Sequence, residues 1–374
     1  MRRITQLLLH ALWVFLVCAT SCKKTRVQTY QRTLDLASLQ GGAYLLTKQV
    51  PKFESADIIQ TDSGLLAALS NDYLNGDKKN IYKCMSHDGG KTWTEPEKLN
   101  LKNMGWEFLN VNLLKVNKRI FLISQRRKKG VGAGEGAIPA FSYSDDNGTT
   151  WSKPRLLLSG KEREFIVINS RNVTQTRTRR LIIPVAHGAL KLTVGILYSD
   201  DNGANWKEGP SSFGGIDIKA AKFAEPSIAQ LKDGRLIMLI RTALGWIYKS
   251  YSGDDGITWS EPVATTLQSP WTAHTMRVTP DGALVVVYCR GPNLNLGWPR
   301  NNLMFAFSRD NGESWKDSRT IIDHTDPQYF VMEPSITFMG DKILVSYVQG
   351  SAWPDKYTDV CIKAAIFNTH DILR

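Results

Sequence analysis

Cysteine is scarce in this sequence, with five in 374 residues. Cys18 and Cys22 fall within the first 22 positions, while Cys84, Cys289 and Cys361 are far apart and form no C-x-x-C pair. That spacing excludes a disulfide framework and a cysteine-rich metal centre, so these three are read as packing residues. No stretch reads as a long amphipathic helix. No nucleic-acid-binding motif is recognisable either, which argues against nucleic acid as a partner. Acidic residues are missing from the first 26 positions, which carry Arg2, Arg3, Lys23, Lys24 and Arg26. The 47 basic residues less these five, against 35 acidic ones, leave +7 of the formal +12 for the rest. Such an excess favours anionic ligands or simply keeps the protein soluble.

The first residues point to export. Arg2 and Arg3 precede an uncharged, mostly apolar run over residues 4–17, the order of a secretory signal peptide and short for a membrane span. The run ends in Ala19-Thr20-Ser21-Cys22, which resembles a bacterial lipoprotein cleavage box. The expectation is removal of residues 1–21 and lipidation of Cys22, giving a membrane-anchored protein of the periplasm or cell surface. The alternative is a plain signal peptide with an incidental cysteine.

The strongest pattern is a repeat. S-x-D-x-G-x-x-W occurs five times, beginning at Ser86, Ser144, Ser199, Ser252 and Ser308, with successive starts 58, 55, 53 and 56 residues apart. In a β-hairpin the Asp bonds backbone N–H groups across the turn, the Gly takes positive φ, and the Trp buries its ring on the returning strand. These are expected to be structural turns; the neighbouring oxygen ligands of a calcium loop are missing, so no metal is assigned. Between them runs a second repeat, two apolar strands joined by a turn, in six copies at residues 57–69, 110–124, 169–186, 225–242, 274–290 and 333–350. Four short strands per repeat, six times over, predict an all-β, six-bladed β-propeller. Residues 22–45 are assigned to a linker and propeller closure, and 46–374 to the blades.

In such a meander the octapeptides lie at one end of each blade, so a ligand site is expected at the other. Starts of the first strands bring Glu54, Glu225, His274 and Glu333 there. Ends of the second strands bring Asp72, Arg126, Arg127, His187, Arg241 and Arg290, and the approach to the fifth blade's third strand brings Trp298 and Arg300. Trp246, Trp271 and Tyr329 are expected in the same funnel. Paired carboxylates with cationic and aromatic walls suit glycoside hydrolysis, without a cofactor.

With these motifs the chain resembles the sialidase superfamily, whose six-bladed propellers carry Asp boxes. That resemblance implies an extracytoplasmic glycan substrate, three arginines around a carboxylate, and a Tyr–Glu pair with an acid/base Asp. Glu225 in AEPSIAQLKDGRL is similar to the family Glu, Arg241 to the second arginine and Arg300 to the third. Glu54 stands where the first arginine is expected. Asn80 holds the nearest equivalent of the acid/base position, with Asp77 nearby, and Glu333 aligns with the Tyr nucleophile, Tyr329 being four residues away. A carboxylate in place of the first arginine repels an acidic sugar. The expectation is therefore an exo-glycosidase using Glu225 and Glu333 as acid and nucleophile or base, with Glu54, Arg241, Arg300, His187, His274 and Trp298 binding substrate. The alternatives are a true exo-α-sialidase using Tyr329, and a non-catalytic glycan-binding propeller.

Overall fold

The computed structural model describes residues 43–45, 53–71, 80–101, 106–128, 137–159, 166–168, 173–188, 193–209, 222–291, 300–323, 329–353 and 356–374. Residues 1–21, Cys22, Asp72, Asp77 and Trp298 lie outside these, as does the side chain of Glu54.

The strands form six antiparallel sheets, each a meander in chain order. After β1 (Ala43–Leu45), blade one is β2 (Phe53–Thr61), β3 (Gly64–Asn71), β4 (Ile81–Ser86) and β5 (Glu97–Lys98). Blade two is β6 (Trp106–Val116), β7 (Arg119–Lys128), β8 (Ala137–Ser144) and β9 (Arg155–Leu156). Blade three is β10 (Ile166–Ile168), with β11 (Thr174–Gln175) also on β12 (Leu181–His187), then β13 (Thr193–Ser199) and β14 (Lys207–Glu208). Blade four is β15 (Ala224–Gln230), β16 (Leu236–Arg241), β17 (Trp246–Ser252) and β18 (Val263–Gln268). Blade five is β19 (Thr275–Val278), β20 (Leu284–Cys289), β21 (Asn302–Ser308) and β22 (Lys316–Asp323). Blade six is β23 (Tyr329–Met339), β24 (Lys342–Trp353) and β25 (Lys356–Asn368), with β1 as its outermost strand. A single turn of helix, α1 (Thr369–Ile372), follows. Inner strands of successive blades meet, β2 with β6, β10 with β7 and β8, β15 with β12 and with β19, β19 with β23, and β23 with β2 to close the ring.

Second strands are buried on both faces, which explains why they read as unbroken apolar runs rather than alternating ones: all six residues of LIMLIR in β16 are buried. Successive residues feed opposite seams. Leu65 packs against blade six and Leu66 against blade two. The core is accordingly six apolar clusters, one between each pair of neighbouring blades.

Each octapeptide joins a third strand to a fourth. In the second, Ser144 Oγ donates to Asp146 Oδ1 at 2.7 Å and accepts from the Gly148 N–H at 2.8 Å, while Asp146 accepts the Thr150 N–H at 2.8 Å and its hydroxyl at 2.6 Å. These donors, the Thr150 hydroxyl foremost, hold the Asp146 carboxyl down to about 2 and occupy its lone pairs. Gly148 has φ 86°, and a methyl there would stand 2.7 Å from Leu66 Cδ2 of the preceding blade. Gly90, Gly203 and Gly256 face Leu344, Phe121 and Ile196 in the same way. The glycine therefore serves two needs, the left-handed turn and close approach to the neighbouring blade. Lys83 Nζ and Lys249 Nζ add ties of 3.1 and 2.9 Å to the Gly148 and Gly312 carbonyls of the next blade.

At the axis, one buried carboxylate links three blades. Asp57 Oδ1 accepts the Ser335 hydroxyl at 2.7 Å from blade six, and Oδ2 accepts the Leu113 N–H at 2.7 Å from blade two.

Candidate active site

Four inner strands carry a one-residue bulge at the same level. Pairing slips between Phe53 and Ser55, Leu109 and Val111, Ala224 and Ser227, and Met332 and Ser335. In β15 and β23 the cause is legible: Pro226 and Pro334 lack the N–H that a ladder needs, so pairing is interrupted beside the preceding Glu. Glu225 and Glu333 take φ of 42° and 55°, and Asn110 at the corresponding bulge takes 47°. A left-handed backbone costs a non-glycine residue on the order of 1–2 kcal/mol. Bulges re-aim side chains and concentrate next to functional sites.

Glu225 forms a short ion pair with Arg241 at the end of the adjacent strand. Their side chains are 21% and 10% exposed. Arg241 is also fixed by Trp271: Nη2 donates to the Trp271 carbonyl at 2.7 Å, and the guanidinium carbon lies 4.2 Å from the ring centroid. Lys222 Nζ approaches the same ring, 5.6 Å from its centroid. Arg300 Nη2 reaches the Trp271 carbonyl at 3.4 Å and Nη1 lies 3.9 Å from Met332 Sδ, while the Arg300 carbonyl accepts the Val331 N–H at 2.6 Å. That last bond ties Arg300 to the strand bearing Glu333.

Burial works against ionisation of Glu225, but the charge and hydrogen bond of Arg241, then Arg300 and His274, outweigh it and hold the carboxyl below its usual range. Arg300 is shifted down, first by burial and then by repulsion from Arg241, against attraction from Glu225 and Glu333. His274 is 1% exposed; burial pushes its ring down to about 4, so it is neutral at pH 7. Glu225, Arg241, Trp271, Arg300 and Glu333 thus converge from blades four, five and six, with His274 beneath them. The buried Cys289 thiol lies in the same field, and burial raises it to about 11.

Other predicted residues have further partners or surroundings of their own. His187 pairs with Glu208 on the outermost strand of blade three at 3.4 Å, and Arg290 pairs with Asp317 on that of blade five at 3.2 Å. Arg127 pairs with Glu107 at 3.0 Å in blade two, both largely buried. Tyr329 opens β23 and is 40% exposed. Asn80 is buried and its N–H donates to the Asn71 side chain. Among the described residues no group of three or more His, Cys, Asp or Glu is arranged to hold a metal ion. Two features lay outside sequence reasoning: the Trp271 carbonyl as the shared acceptor for both arginines, and the bulges. The recurrence of E-P-S at the start of two strand pairs was the available signal for the latter.

A ring of six antiparallel blades with a carboxylate–arginine cluster between blades four, five and six defines a six-bladed β-propeller. The family model described as a BNR repeat-like domain matches residues 111–355, and the chain belongs to that family, within the sialidase superfamily. An anhydrosialidase of Macrobdella decora is 27% identical over 195 residues, which are 49% of this chain and 25% of that relative; the match thus spans about a quarter of the relative's length. The fold is similar to that of an intramolecular trans-sialidase from Ruminococcus gnavus, with a TM-score of 0.68 at 19% identity over 88% of this chain and 98% of the other. It is also similar to a Hadza microbial sialidase, with a TM-score of 0.71 at 16% identity over 88% of this chain and 69% of the other.

Proposed function

We propose that the protein is an exo-acting glycoside hydrolase that removes terminal sugars from extracytoplasmic glycans with the carboxylates Glu225 and Glu333. The observation that carries this reading is the position of Arg300, whose charge is felt by Glu225 and Glu333 alike. Two carboxylates in the field of one guanidinium supply the pair that glycoside hydrolysis uses. Glu225, depressed by Arg241, is assigned the ionised role of nucleophile or base, and Glu333 the proton donor. Arg241 and Arg300 would grip hydroxyls or a uronate, and Glu54 further hydroxyls. This chemistry calls for no cofactor. The signal segment and Cys22 would place the enzyme on a membrane, outside the cytoplasm.

The names of the relatives favour a second reading, a sialidase using Tyr329. Tyr329 lies four residues before Glu333 on the same strand, about 13 Å at ~3.3 Å per residue. Engagement of Glu225 by Arg241 favours a third, glycan binding without cleavage. One experiment separates the three: aryl glycosides and natural oligosaccharides, sialosides included, are incubated with wild type and the E225Q, E333Q and Y329F variants. Neutral or uronic sugars released by wild type and not by E225Q or E333Q support the hydrolase. Sialoside turnover lost only in Y329F supports the sialidase, and a bound but intact glycan by mass spectrometry supports the binder.

A further inference from the structure

Four large apolar side chains are conspicuously exposed among the described residues: Leu244 and Trp246, both at 39%, Tyr329 at 40% and Val263 at 51%. Val263 belongs to the outer strand of blade four. Leu244 and Trp246 belong to the turn that follows Arg241, at the mouth that holds the candidate site. Their exposure does not come from a loose loop. The Thr242 hydroxyl donates to the Trp246 carbonyl at 2.7 Å and accepts the Leu244 N–H at 3.1 Å, and the Gly245 carbonyl accepts the Ser269 N–H at 3.0 Å. Gly245, at φ 85°, permits the tight reversal. A turn fixed by these hydrogen bonds presents the indole and the leucine to solvent as a preformed surface, and fully burying a large apolar side chain is favourable by roughly 1.5–3 kcal/mol.

Trp246 opens β17, where pairing with β18 slips between Trp246 and Tyr248. That strand is two removed from β15, which bears Glu225, about 10 Å at ~4.8 Å per strand. A platform at Trp246 therefore serves a sugar beside the one held between the carboxylates.

We infer that Trp246 and Leu244 form a second sugar subsite, a stacking platform for the apolar face of a neighbouring residue of a glycan chain, so that the enzyme acts on oligosaccharide ends rather than on isolated glycosides. The inference rests on the hydrolase reading above. An aromatic face of this kind suits a sugar's C–H surface and leaves its hydroxyls in water.

The test has two arms. In the first, the full chain is run through native gels with and without embedded polysaccharides: a neutral glucan, a galactan, an arabinan and a uronate-rich pectin. Wild type should be retarded by one of them, Trp246→Ala should lose that retardation, and Val263→Ser should keep it. In the second, the ratio of kcat/KM for a trisaccharide to that for the corresponding aryl monoglycoside should fall about tenfold in Trp246→Ala. Retardation and ratio both unmoved in Trp246→Ala, or lost equally in Val263→Ser, overturn the subsite. If wild type cleaves nothing while the gel arm still depends on Trp246, the platform stands and the hydrolase reading alone fails. A soluble protein partner that requires Trp246, with no polysaccharide doing so, also overturns the proposal.

Discussion

Arg241 meets Trp271 twice, donating to its carbonyl at 2.7 Å and lying 4.2 Å over its ring, while the same guanidinium pairs with Glu225. The planar fork satisfies all three demands at once. A lysine ammonium is a point donor that cannot stack and bridge together.

Arg241→Lys should therefore leave the fold intact and lower turnover of the substrate found for the wild type by about a hundredfold, as expected when a positioned group shifts by about an ångström. Steady-state kinetics beside a thermal melt would check this. A loss confined to the melt would show the pair to be structural.

Titration of Glu225 sets the acid limit. Its folded pKa lies below its unfolded value, so the ion pair contributes stability above the ordinary Glu value of about 4.3 and loses it as pH falls further. The acid limb of kcat/KM should accordingly lie below about pH 4.3. In Arg241→Gln it should move upward, because the largest opposition to burial is then gone.

His274 works in an adjacent window. Its folded value of about 4 is below the usual imidazole value of about 6.5, so the stability of holding it neutral is present above pH 6.5 and lost as pH falls from 6.5 to 4. The full difference is at most about 3 kcal/mol. Urea midpoints measured across that window should decline in wild type and flatten in His274→Asn.

Backbone strain at Glu333 predicts a trade of stability against activity. Asparagine tolerates the left-handed region better, so Glu333→Asn should raise Tm by a degree or two, from about 1 kcal/mol of relief. Turnover should vanish. An unchanged or lower Tm would mean that the contacts of Glu333 outweigh its strain.

Contact between Gly148 and Leu66 gives a two-residue test. Gly148→Ala places a methyl against Leu66 at positive φ and should cost about 2 kcal/mol or more. Adding Leu66→Ala should recover part of that loss. A strictly additive cycle would show that the neighbouring blades are not coupled there.

Much of this was legible in the sequence because it repeats. Five octapeptides and six strand pairs fix the blade count, and the meander order places Glu225, Arg241, Arg300 and Glu333 at one mouth. His187 and Arg290 share the same positions in their blades, yet Glu208 and Asp317 draw them to the outer strands; nothing in local sequence announces a partner two strands away. His274 shares the level of the Glu residues but is buried, because blade five has no E-P bulge to turn it outward. The double role of Trp271 depends on a carbonyl, which sequence does not display.

The pairing of Ala43, Tyr44 and Leu45 with Ala365, Ala364 and Lys363 also sets a schedule. Of the described strands the first has to wait for the last, so the sixth blade cannot be completed before β25 has been made. Until β1 docks on it, β25 has one bare edge, and an unpaired edge recruits other strands. A chain cut short by even its final strand would lose more than that strand: β1 would have no partner, and the seam between blades six and one would stand open to water.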